Sequence, residues 1–156
     1  FVIQNSRLRY TPAPGTTWTV EFVAAPPPCA WEAPAPTCAP AFAPALLVIQ
    51  AGDTVVWQVR DGRHTVTFPA SGTPAPPLYL AWLGEATGEL NPLAAEPQGN
   101  TVYDGTALVG SGVLDENAST YRLTFPQPGH YVYVDLEHPG LLGEIIVLSP
   151  ADEPVR

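Results

Sequence analysis

Twenty prolines and thirteen glycines punctuate this chain of 156 residues, and that density constrains the fold more than any other feature of the sequence. Proline fixes φ and lacks a backbone donor, and glycine weakens the interior of regular elements, so both collect in turns and loops. The expectation is short elements joined by many turns and long ordered loops, with little helix. The length is that of one domain able to bury a core. A content of 46% hydrophobic residues with a mean hydropathy of +0.06 belongs to a globular chain. No apolar run approaches the ~18 residues a membrane-crossing helix needs. The longest are pieces such as Ala45-Leu46-Leu47-Val48-Ile49. Phe1 opens the sequence without a basic n-region, so an exported form would be represented by its mature or trimmed part.

Between the turns lie runs rich in Val, Thr, Trp and Phe, as strands prefer. One or two strands are expected within residues 2–10 and 16–23, followed by a Pro/Ala-rich excursion over 24–45. The pattern sharpens into strands at 46–50, 54–59 and 64–68, separated by the turns Ala51-Gly52-Asp53 and Arg60-Asp61-Gly62-Arg63. Residues 69–117 read as a long insertion, mostly loop, with a short helix or edge segment at 78–83. Strands return at 121–125, 130–135 and 144–148. This spacing predicts an all-β Greek-key β-sandwich, a single domain over residues 1–156. Trp57 is the expected core tryptophan.

Charge narrows the partners. Fifteen acidic residues face six arginines, no lysine is present, and the net charge is −9. Such a chain does not suit nucleic acid or an anionic lipid surface. It suits a basic protein partner, or simply solubility. Cys29 and Cys38 close a short proline-stiffened segment. A disulfide there would contribute roughly 2–3 kcal/mol and would place the chain in the periplasm or outside the cell. Two reduced, unrelated thiols are the alternative.

Two blocks carry a specific pattern. The first is Ile49-Gln50-Ala51-Gly52-Asp53-Thr54-Val55-Val56-Trp57, followed by His64-Thr65-Val66-Thr67-Phe68. The second runs from Tyr121 to Leu148 and contains Phe-x-x-Pro-Gly-x-Tyr-x-Tyr at Phe125, Pro128, Gly129, Tyr131 and Tyr133. Together they resemble the cupredoxin family, the plastocyanin, amicyanin and pseudoazurin group. The resemblance implies a cupredoxin β-sandwich in which His64 matches the first copper ligand and His138 the second. The ligand loop departs from the family pattern Cys-x-x-His-x-x-Met: it reads Asp135-Leu136-Glu137-His138-Pro139-Gly140-Leu141. Asp135 stands at the thiolate position and Leu141 at that of the axial methionine.

That exchange changes the chemistry the resemblance implies. A thiolate gives the short covalent bond that makes copper blue and tunes its potential; a carboxylate is a hard donor that favours Cu(II). His64, Asp135 and His138 still make a reasonable ligand set for Cu(II) or Zn(II), and Leu141 would shield the metal on its side. Glu137 is expected to face solvent, and His130 to point away from Tyr131, Tyr133 and Asp135. Two functions follow. One is an accessory module that has lost its blue-copper site and docks on a protein partner, such as a redox protein or a membrane-associated complex. The other is a non-blue Cu(II) or Zn(II) protein in electron transfer or copper handling. No Gly-rich phosphate loop follows a strand and residue order gives no Ser–His–Asp arrangement, so no enzyme is expected.

Overall fold

Residue 57 is a tryptophan with no exposed surface, and the two sheets of the molecule close over it. The computed structural model describes residues 15–23, 40–80 and 88–149. Among these residues the strands are β1 (Thr17–Val23), β2 (Ala41–Ala43), β3 (Leu46–Gln50), β4 (Thr54–Gln58), β5 (His64–Phe68), β6 (Val109–Leu114), β7 (Thr120–Thr124), β8 (Gly129–Val134) and β9 (Leu142–Leu148). A one-turn helix, α1 (Pro92–Ala95), is capped by Asn91, whose Oδ1 accepts the Leu93 N–H at 3.2 Å. One sheet has the order β2-β1-β4-β7 and the other β3-β9-β8-β5-β6. The pairs β1/β4 and β3/β9 are parallel and the rest antiparallel. The product is the all-β Greek-key sandwich expected from the strand spacing.

Period-two alternation builds the core. Val55 and Trp57 of β4, Leu123 of β7, Tyr131 and Tyr133 of β8, and Ile145 and Val147 of β9 all turn inward. Trp57 from one sheet meets Phe68 and Tyr133 from the other, with ring centroids 5.8 and 5.2 Å apart. The Ala-Gly-Asp turn is tied by Asp53. Its buried carboxylate accepts the amides of Gly15, Thr16 and Gln50 and the indole N–H of Trp18, at 2.9–3.2 Å. An aspartate at this turn is therefore a fixed junction between β1 and the β3–β4 connection.

The excursion and the insertion contribute more to the sandwich than their composition suggested. The strand expected at 2–10, the two cysteines and most of the excursion lie outside the described residues. At the excursion's end, β2 pairs with β1 and buries Phe42. The stretch 69–117, expected as mostly loop, contains β6, the edge strand beside β5. It also supplies the buried side chains Leu78, Ala94, Tyr103 and Val109. Glycines hid β6: its sequence is Val-Gly-Ser-Gly-Val-Leu, and glycine is depleted in strands. Thr65 pairs with Val113 but Thr67 with Gly110, so β6 carries one extra residue in a bulge. There Ser111 Oγ takes the Val66 N–H at 2.9 Å. All five residues of β5 are buried, since β6 and the insertion cover the strand that carries His64.

Candidate metal centre

His64 opens β5, and Asp135 follows the last residue of the neighbouring strand β8. Adjacent strands thus deliver both side chains to one end of the sandwich. The loop between β8 and β9 then folds back on itself: the Asp135 N–H donates to the Leu141 carbonyl at 3.0 Å, the His138 N–H to the Asp135 carbonyl at 3.2 Å, and the Leu141 N–H to the His138 carbonyl at 3.0 Å. Thr65 Oγ1 accepts the Leu136 N–H at 2.7 Å and pins the loop to β5. Leu141 packs partly buried against the core.

The three expected residues meet. Asp135 Oδ2 lies 2.7 Å from His64 Nδ1 and 3.0 Å from His138 Nδ1. Its other oxygen, Oδ1, accepts the backbone N–H groups of Thr65 and Glu137, both at 2.9 Å. The side-chain exposures are 0% for Asp135, 8% for His64 and 38% for His138. The Asp135 carboxyl is pulled two ways. Burial pushes its pKa up, but the hydrogen bonds from His64, the Thr65 amide, His138 and the Glu137 amide outweigh burial and hold it below the usual carboxylate range. It is an anion in a place where only its donors make an anion tolerable.

His64 is fixed on every side. Its Nε2 lies 3.1 Å from the Asp61 carbonyl oxygen. Its ring stacks between Phe22, at 4.1 Å between centroids, and His138, at 4.8 Å. The chemistry available to such a group is cation binding: one carboxylate oxygen and two imidazole nitrogens lie within 4.8 Å of one another. A tetrahedral Zn(II) ion with bonds near 2.0 Å holds its donors roughly 3.3 Å apart. The two carboxylate–imidazole separations, 2.7 and 3.0 Å, are shorter than that value while the donor set as a whole spans up to 4.8 Å, so the side chains must shift to close on an ion.

Other residues depart from or add to the sequence reading. Glu137 does not face solvent; its side chain is 16% exposed, with Oε2 at 3.3 Å from Arg63 Nη2 and Oε1 accepting the Tyr79 O–H at 3.5 Å. A charged residue between two loop residues gave no sign that an arginine at the end of the neighbouring strand would fold it inward. His130 points outward as expected, bonded to Glu144 at 2.7 Å. Phe22 and Asp61, which orient His64, were not singled out: one reads as an ordinary core aromatic, and the other acts through its backbone.

No family model and no curated protein matches the chain. Solved structures similar to it include a Cu(I) form of an amicyanin variant, 23% identical with a TM-score of 0.43, and an oxidized amicyanin variant, 24% identical with a TM-score of 0.41. Each match covers 67% of this chain and 70% of the other. These likenesses are partial, and the all-β sandwich is read from this chain's own strand order and register.

Proposed function

We propose that this cupredoxin-fold domain holds one divalent cation, Cu(II) or Zn(II), on His64 Nδ1, the Asp135 carboxylate and His138 Nδ1, as an extracytoplasmic metal-binding module and not a blue-copper carrier. The observation that carries the proposal is the far edge of His64. Its Nε2 faces the Asp61 carbonyl at 3.1 Å, so a cation that takes the place of the Nδ1 proton leaves Nε2 its own hydrogen-bond acceptor and the ring its orientation. Imidazole and carboxylate donors suit borderline and hard ions. The sequence contains no methionine, so a thioether axial ligand is impossible. When bound, such an ion would supply a Lewis-acid or low-potential centre; the chain's own residues supply its orientation and its partial shielding from water. A disulfide between Cys29 and Cys38 would fit the oxidising compartment this reading assumes.

A second reading rests on a different feature of the same cluster. The three side chains already satisfy one another at 2.7 and 3.0 Å, so the group is also complete as an ionic clamp closing the end of the sandwich. In that reading the domain is a metal-free accessory module that docks on a protein partner. The readings separate in one experiment. Purified protein is incubated with Cu(II), desalted, and examined for bound metal and by EPR. One equivalent of copper, with no intense visible band and lost in His64→Ala, supports the metal site. Failure to retain either copper or zinc at neutral pH removes it and leaves the clamp.

A further inference from the structure

We infer that Arg63 and Glu137 form a latch across the mouth of this site that sets how fast a cation enters and leaves; the inference rests on the divalent-cation reading. Arg63 immediately precedes His64, and Glu137 immediately precedes His138. Their ion pair, 3.3 Å from Nη2 to Oε2, therefore joins the same two segments that the metal would join, one residue further out. Both line a cleft of about 450 Å³ beside the ligands, together with Asp61, Gly62, His64 and His138.

The two ends of the latch are unequal, and the inequality gives it direction. Arg63 is 47% exposed and Glu137 16%. Glu137 Oε2 is buried and accepts no hydrogen bond among the described residues, so the Arg63 guanidinium is what offsets the cost of a charge held there. Tyr79 approaches the other oxygen from the insertion, which fixes the carboxylate from a third element. Asp135 and His64 are buried, and His138 is the exposed ligand. The exposed side of the cluster is therefore the His138 side, and the latch holds the loop there at the residue next to the ligand.

The latch touches no donor atom, so it should alter rates and leave the coordination unchanged. The full chain is loaded with Cu(II) or Zn(II), and release to excess EDTA is followed by stopped flow at several salt concentrations. Arg63→Gln and Glu137→Gln should each speed release about three- to fivefold, the range expected for a partly exposed ion pair. The double variant should be no faster than either single one, because both remove one interaction. Release from the native protein should quicken with salt, and both variants should lose that dependence. The Cu(II) EPR spectrum should be the same in all four proteins. Unchanged rates in the variants, or salt-independent release from the native protein, overturn the latch and leave the metal site standing. An altered EPR spectrum in Glu137→Gln makes Glu137 a ligand and also overturns it. A native protein that binds no metal overturns both readings together.

Discussion

His64 lies between two acceptors, the Asp61 carbonyl oxygen 3.1 Å from Nε2 and the Asp135 carboxylate 2.7 Å from Nδ1. With no cation present, both contacts are hydrogen bonds only if the ring carries a proton on each nitrogen. A cation on Nδ1 displaces one of these protons and leaves the Asp61 contact intact. Metal binding through Nδ1 should therefore weaken as the pH falls, because the cation and a proton compete for the same nitrogen. Calorimetry of Zn(II) binding in buffers of different ionisation heat measures the release. A binding heat independent of buffer at every pH would show that the cation displaces no proton from this cluster.

The same carboxylate predicts how the metal-free protein responds to acid. The folded-state pKa of Asp135 is depressed, because its four donors outweigh its burial. The unfolded chain thus binds the proton first, and the stabilisation is fully present above the ordinary carboxyl range near pH 4 and lost as pH falls through the lower folded value. Asp135→Asn should cost about 3 kcal/mol at pH 7, the order seen when one partner of a buried pair is removed. The variant should also lose this component of acid sensitivity. Urea unfolding from pH 3 to 7 tests both; parallel stability curves for the two proteins would show that Asp135 is not the group responsible.

How much of this was legible depended on whether a residue's role is carried by a local pattern. Trp57 could be read as a large aromatic within a strand, and Tyr131 and Tyr133 because alternation places them on one face of β8. The meeting of His64, Asp135 and His138 was expected from the resemblance in the sequence alone, and the adjacency of β5 and β8 is what brings it about. β6 could not, since two of its six residues are glycines and its pairing with β5 is interrupted by a bulge. Nor could the inward fold of Glu137, because the Arg63 that draws it in lies 74 positions away and the contact exists only once β5 and β8 are neighbours. Local preference carries strands and turns; contacts between distant polar side chains depend on tertiary geometry.

The bulge in β6 is testable in its own right. Ser111 Oγ accepts the Val66 N–H at 2.9 Å and donates to the Gly112 carbonyl. Gly112 has a φ of +68°, and a Cβ there would sit 2.7 Å from the Ala95 carbonyl oxygen. Ser111→Ala leaves a buried amide without its partner and should cost about 1–3 kcal/mol. Gly112→Ala adds a strained φ to a backbone collision and should cost as much or more. Thermal unfolding with the native protein as control decides the matter. A shift below about 0.5 kcal/mol in both, the range of ordinary surface substitutions, would mean that the β5–β6 edge is not held as described.

Gly143 gives the clearest link between the core and the site. It pairs across the sheet with Tyr133, whose ring lies over it: a Cβ at 143 would collide with Cζ and the hydroxyl oxygen and come within 2.7 Å of Cε1. An exposed tyrosine would swing away. This one is fully buried, with ring centroids 4.6 Å from Phe42, 5.0 Å from Phe68 and 5.2 Å from Trp57. In so dense a core the strain passes to the backbone. Gly143→Ala should therefore destabilise by about 2–3 kcal/mol, the upper range for overpacking. Combining it with Tyr133→Leu should restore part of the loss, because the two side chains share one space. Asp135 lies two residues beyond Tyr133 on the same chain direction, so the single variant should also weaken cation binding, and the double variant should recover part of it. Strictly additive losses in a double-mutant cycle read by urea unfolding would show that the ring does not occupy the space above Gly143.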